Sequence, residues 1–219
     1  MLANMGASFS NDAAIFFDEI NDHTNVALDG AWKVAFTKKL PGSKTVEEKY
    51  LDTGITAAAK LLITENADET SMIEIGQPQE IETISSEWAG LDGEIVYRKK
   101  VQLTKAMAQQ DAVLSLGTLD DYDELYINGI KVAFTDSTTK DTWSYNRFYS
   151  LKAGTFKAGN NTIAIRIFDN YGGGGFTLGY NKRELKLKEN KNGKAVKMYH
   201  ADYRDDYELG DDPFRYFRW

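Results

Sequence analysis

The pair Asn128-Gly129 stands between the runs ELYI and IKVAF and constrains its surroundings more tightly than any other dipeptide in the chain. Both central residues of a type I′ turn need positive φ, which Asn and Gly adopt at least cost, so the spacing predicts a two-residue β-hairpin. Asn192-Gly193 repeats the signal near the C-terminus. Around the first hairpin lie AWKVAF, MIEI, EIVYRKKVQL, AVLSLG, TIAIRIF and ELKLK, all short, rich in β-branched and aromatic residues, and often alternating. Short strands with frequent turns predict an all-β chain folded as a two-sheet β-sandwich, of jelly-roll or immunoglobulin-like type.

Alternation assigns faces within the strands. In NTIAIRIF, Ile163, Ile165 and Ile167 share one side while Ala164, Arg166 and Phe168 share the other, the pattern of a central strand with a dry side and a mixed side. In GEIVYRKKVQL, Ile95, Tyr97, Lys99 and Val101 point one way, but Val96, Arg98, Lys100 and Leu103 form no clean set, which predicts a bulge there. Two stretches read as helical: NDAAIFFDEI at 11–20, and the Ala-rich TGITAAAKLLI at 53–63, a short helix or an irregular insertion. The prolines stand at 41, 78 and 213, and no Pro/Ser-rich linker divides the chain, so one domain with tails is expected.

Charge and composition exclude several functions. A net charge of −7 leaves no basic field for a phosphate backbone or an anionic membrane, so neither nucleic acid nor membrane insertion is expected. No window approaches the roughly 18 apolar residues of a spanning helix, and MLANMGASFSNDAA lacks a charged segment followed by an apolar run. Without cysteine there is no disulfide, thiolate nucleophile or Cys zinc site, and only His23 and His200 offer imidazole.

Catalytic motifs fail one by one. Gly6-Ala-Ser8-Phe-Ser10 breaks the nucleophile-elbow pattern at its last position, and His23 and His200 lie in polar contexts with no matched nucleophile. In Asp120-Asp121-Tyr122-Asp123-Glu124 the bland reading is a solvated loop whose carboxylates accept hydrogen bonds from turn amides. The same stretch misses the calcium-loop pattern because Leu125 fills the third ligand slot. The run Gly172–Gly175 in IFDNYGGGGF satisfies neither G-x-G-x-x-G nor the P-loop, since Phe176 follows directly. It reads as a tight reversal between TIAIRIF and FTLGY. What remains is a set suited to sugars. Trp88, Tyr122, Trp143, Tyr145 and Tyr171 fall in loops or strand ends near Asp120, Asp121, Arg147, Asp169 and Asn170. Aromatic faces stack on pyranose rings while carboxylates and amides take paired hydroxyls, and core packing is the competing use of such aromatics.

The stretch from Leu91 to Phe176 closely resembles the galactose-binding-like jelly-roll domain of sialate O-acetylesterases. It is similar, less closely, to the sugar-binding domain of family 2 glycoside hydrolases. The marks are Tyr126, Asn128 and Gly129; Lys157, Ala158, Gly159, Asn161, Ile163, Ala164 and Arg166; and Asp169, Asn170 and Gly172–Gly175. Leu28–Phe36 looks like the opening strand of those domains. The G-Q-S-N-M and Asp/His blocks of the esterases are missing, and 41–87 is a longer insertion than the family shows. The resemblance implies a galactose-binding-like jelly roll over 26–189, which leaves 1–25 as an N-terminal extension that carries the helical stretch at 11–20. An aromatic and charged tail over 190–219 is expected to pack on the sandwich or on a neighbour.

The function it implies is a non-catalytic carbohydrate-binding or substrate-positioning module beside a catalytic hydrolase domain, secreted or periplasmic, with no cofactor beyond a structural calcium. The sugar-binding candidates are Asp120, Asp121, Tyr122, Trp143, Tyr145, Arg147, Asp169, Asn170 and Tyr171. A purely bracing domain is the nearest rival, and an esterase or glycosidase working through DDYDE and Asp169 a more distant one.

Overall fold

The hairpin forms as expected. In the computed structural model, which describes residues 25–177 and 183–188, β6 (Tyr122–Ile127) and β7 (Ile130–Thr135) flank Asn128 at φ 52° and Gly129 at φ 84°. The predicted helix at 11–20, the Asn192-Gly193 turn and the C-terminal tail lie outside the described residues. The remaining strands are β1 (Val26–Ala27), β2 (Trp32–Pro41), β3 (Ile73–Ile75), β4 (Leu91–Leu103), β5 (Ala112–Asp120), β8 (Asn146–Leu151), β9 (Gly159–Asp169), β10 (Gly175–Phe176) and β11 (Glu184–Leu187). One antiparallel sheet runs β3-β2-β4-β9-β6-β7; the other runs β1-β11-β5-β10, with β8 also paired to β5. This is the expected all-β, two-sheet sandwich.

Strand β9 is central, bonded to β4 on one side and β6 on the other. Its Ile163, Ile165 and Ile167 are fully buried and meet Leu114, Leu116, Leu119 and Leu185 of the opposite sheet in one core. Each such side chain contributes about 1.5–3 kcal/mol by leaving water. Two of the motif asparagines close the end of β9. Asn128 Nδ2 donates to Asn161 Oδ1 (2.8 Å), Asn128 Oδ1 accepts from Thr162 N (2.8 Å), and Asn161 Nδ2 donates to Lys157 O (2.7 Å).

The expected bulge in β4 is not there. β4 stays in continuous register with β9 from Gly93 to Leu103, and the irregularity falls on β2, between Phe36 and Lys38. Thr37, left unpaired by that shift, turns its hydroxyl to Glu94 Oε2 (2.6 Å). The alternation of β4 looked unclean because both its faces are buried: Ile95, Tyr97 and Val101 in the main core, Val96 and Arg98 beneath the insertion.

That insertion covers the outer face of the six-stranded sheet. Its helix α1 (Ala57–Leu62) is capped by Thr56, whose side chain accepts from Ala59 N, and Ala59 and Ile63 pack with Met72, Val96, Tyr126 and Ala164 in a second small core. A second, one-turn helix, α2 (Lys105–Ala108), follows β4. Two buried arginines fasten the insertion. Arg98 donates to Glu69 Oε1 (3.0 Å), to the carbonyls of Leu62 and Thr64, and to Glu65 O, satisfying carbonyls that the end of α1 leaves open. Arg166 grips Asp52 with both terminal nitrogens (2.7 and 2.6 Å) and gives Nε to Glu94 Oε1 (2.6 Å).

The Arg166 and Glu94 side chains are 1% and 0% exposed, so neither can lose its partner to water. Arg166→Met is therefore expected to cost about 3–5 kcal/mol, because it leaves Glu94 buried and unpaired. Urea denaturation checks this; a loss below about 1 kcal/mol would show that the pair is dispensable.

Candidate functional site

Asp169 ends β9, and the glycine corner carries the chain back to β10, where Gly175 and Phe176 pair with Asp120 and Leu119. Phe176 lies against Tyr97 (4.9 Å between ring centroids, edge-on) and Trp32 (5.8 Å), so the corner delivers the aromatic that joins the two sheets. Space explains the glycines unequally. A Cβ on Gly174 would stand 2.5 Å from Asp169 Oδ2; one on Gly175, at φ 90°, would stand 2.6 Å from the Tyr97 hydroxyl. Gly173 faces open space. Gly174→Ala should thus lower stability by about 1–3 kcal/mol, whereas Gly173→Ala should change it by under about 0.5 kcal/mol, measured as denaturant midpoints.

The corner is stapled to the insertion. Tyr50 N donates to Asn170 O (3.0 Å), Ile81 N to Gly174 O (3.0 Å), and Gly174 N to Glu82 Oε1 (3.1 Å). Asp121 Oδ2 accepts from Asn170 N (3.1 Å) and Asp169 Oδ1 from Tyr171 N (3.2 Å). The expectation of a solvated DDYDE loop is overturned. These residues close β5 and open β6, with Asp121 and Asp123 buried, because they bridge the sheets rather than cap a turn. Asp123 Oδ1 accepts from Arg147 Nε (2.7 Å) and its Oδ2 from the Tyr149 hydroxyl (2.6 Å).

Among the nine sequence candidates, Asp121, Arg147, Asp169 and Asn170 are buried. Arg147 spends its donors internally, on Asp123, on Asp121 O (2.6 Å) and on the carbonyls of Thr142 and Tyr145, with its guanidinium 5.6 Å from the Tyr145 ring centroid. Trp143 is 61% exposed in the turn before β8, and Tyr171 is 37% exposed at the corner. Tyr122 points to the other side of β6. Trp88, the remaining sequence-noted aromatic, is buried edge-on against Phe36 (5.4 Å).

The buried acids have an electrostatic consequence. Burial, a hydrogen bond with Asp121, and the charges of Asp121 and Asp169 push the Asp120 carboxyl far above the usual carboxylate range. Burial and the charges of Asp92, Asp121 and Glu82 push Asp169 up to about 8. Asp120 Oδ1 and Asp169 Oδ2 have no hydrogen-bond partner among the described residues. Among the described residues, no group of three or more histidine, aspartate or glutamate side chains is placed to hold a metal ion.

Because the folded state holds protons that the unfolded chain releases near the ordinary value of 3.8, stability falls as pH rises toward about 8. Asp52, Glu69 and Glu94, held below their usual range, titrate only in more acid solution and do not mask this. The urea midpoint is expected to drop between about pH 5 and about pH 8, with the slope reduced in Asp169→Asn. A midpoint that rises over that interval would contradict it.

On the outer face of β6 lies a cleft of about 160 Å³, which sequence reasoning did not find. Asp52, Tyr122, Glu124, Lys131, Phe134 and Asp136 line it, with Arg166 beneath. Glu124 stands opposite Phe134 in the β6–β7 ladder, accepts from Lys131 Nζ (2.9 Å), and accepts from the Tyr126 hydroxyl (2.6 Å). Lys131 Nζ sits 5.4 Å from the centroid of Phe134, which nevertheless stays 57% exposed. The signal that could have found the cleft is the alternation along YDELYI, which with the Asn-Gly turn sets Tyr122, Glu124 and the β7 side chains on neighbouring tracks. Asp52, 114 residues from Arg166, carried no such signal.

No protein-family model matches the sequence, and no curated protein matches it. Solved structures do. A β-glucuronidase of Bacteroides uniformis is similar at 17% identity and TM-score 0.50 over 74% of this chain and 18% of that one. A glycosyl hydrolase family 2 member from Bacteroides cellulosilyticus is similar at 15% identity and TM-score 0.52 over 75% of this chain and 20% of that one. The likeness is one of fold, and this chain spans about a fifth of the length of those enzymes. The likeness to sialate O-acetylesterases rests on the sequence motifs alone. Among the described residues, no helix is long and apolar enough to cross a membrane.

Proposed function

We propose that this chain is a non-catalytic β-sandwich module of a larger carbohydrate-active hydrolase, secreted or periplasmic, which binds carbohydrate or positions it for a catalytic neighbour. The observation that carries this reading is the β6–β7 cleft, where the exposed face of Phe134 adjoins the carboxylates of Glu124, Asp52 and Asp136 and the ammonium of Lys131. An apolar ring beside directional acceptors and donors is the arrangement that one pyranose, with its apolar face and paired hydroxyls, requires. The fold shared with about a fifth of two glycoside hydrolases supports the modular part of the reading.

The sugar surface first expected around Arg147 and Asp169 moves, in this reading, to the opposite side of β6, where Tyr122 alone of the nine candidates lines the cleft. A bracing role has its own supporting observation: Asp121, Arg147, Asp169 and Asn170 are buried and bonded within the sandwich. A glycan array probed with the full chain separates the two. Binding that weakens about tenfold or more in Phe134→Ala, at unchanged melting temperature, is expected for the binding role. A well-folded chain that captures no glycan favours the brace.

A further inference from the structure

We propose that the β6–β7 cleft takes a single non-anionic hexopyranose unit and discriminates against uronic acids. This rests on the carbohydrate-binding reading above and narrows it to a ligand class. Size supports a single ring: about 160 Å³ is well below the roughly 300–1,000 Å³ of pockets for drug-sized ligands. Charge supports the discrimination. The acidic side chains at the cleft and directly behind it are Asp52, Glu94, Glu124 and Asp136; the cations are Arg166 and Lys131, with Lys38 close enough to Asp52 to act on its charge.

The two cations that line the cleft are already engaged. Arg166 is held by Asp52 on its two terminal nitrogens and by Glu94 on Nε, and Lys131 is held by Glu124 at 2.9 Å. Asp123 also borders the cleft, but its side chain turns into the sandwich, where Arg147 matches it at 2.7 Å. Asp136 is stabilised as a carboxylate by two hydrogen bonds from Thr138, one from its amide (3.0 Å) and one from its hydroxyl (2.6 Å). Four carboxylates thus face three cations, Lys38 included, and the Arg166 guanidinium has no free edge for bidentate capture of an incoming carboxylate. A uronate would add to a balance that is already negative, whereas sugar hydroxyls would donate to the spare carboxylate lone pairs. The apolar face of the ring would lie on Phe134.

The test is a titration of the isotopically labelled full chain, followed by amide NMR, with methyl β-glucopyranoside, methyl β-galactopyranoside, methyl α-mannopyranoside and methyl β-glucuronide as probes. At least one neutral glycoside is expected to shift the amides of Glu124, Lys131 and Phe134 and to bind on the order of tenfold more tightly than the glucuronide at low salt. The gap should narrow as salt is raised, because screening weakens the repulsion over a Debye length of about 10 Å at 0.1 M. It should also narrow in Asp136→Asn, a half-buried substitution at the rim that leaves the Arg166 clamp intact. Glucuronide binding at the cleft as tightly as every neutral glycoside would overturn this inference while leaving the carbohydrate reading standing. A cleft that none of the four probes perturbs would overturn both.

Discussion

The grip of Arg166 on Glu94 and Asp52 holds together what the rest of the outer face depends on. Arg166 projects from the central strand β9, Glu94 from its neighbour β4, and Asp52 from the insertion, so one guanidinium ties sheet to covering segment. Two ionised acids in line with its donors offset much of the cost of taking the cation out of water. Glu94 is further satisfied by Thr37 from the bulged strand β2 and by Thr56, the cap of α1. The start of the helix, the bulge and the floor of the cleft are therefore settled by the same buried acid.

Strand β6 converts that arrangement into two unlike surfaces. Its alternate residues Asp123 and Leu125 point into the sandwich, where Asp123 pairs with Arg147 across the sheets. Tyr122, Glu124 and Tyr126 point outward, where α1 covers Tyr126 and the cleft begins at Glu124. Burial and the neighbouring carboxylates hold the Asp120 and Asp169 carboxyls at the glycine corner above the usual carboxylate range. The outer acids have Arg166 and Lys131 nearby. The same residue type is thus structural on one side of the strand and available to a ligand on the other.

The elements governed by local chemistry were legible in the sequence: the Asn128-Gly129 hairpin, the period-two pattern of β9, the helix in 53–63 and the reversal at the glycine run. Contacts between segments far apart were not. Polar residues in DDYDE looked solvated because their partners, Arg147 and Tyr149, arrive from a strand more than twenty residues later. Arg98 obscured the face pattern of β4 because its partners at 62–69 belong to an insertion whose path no local rule predicts. Gly173 and Gly174 are indistinguishable as letters, yet only Gly174 is pressed against Asp169.

In the proposed reading, the outer face closed by the Arg166 clamp leaves an opening at β6 and β7 that takes one sugar ring. A crystal structure of the full chain with a bound neutral methyl hexoside tests it most directly. The account predicts a pyranose ring stacked on Phe134, with hydroxyls within hydrogen-bond distance of Glu124 and Asp136. Sugar bound instead at Trp143 or Tyr171, with nothing in the cleft, would contradict it.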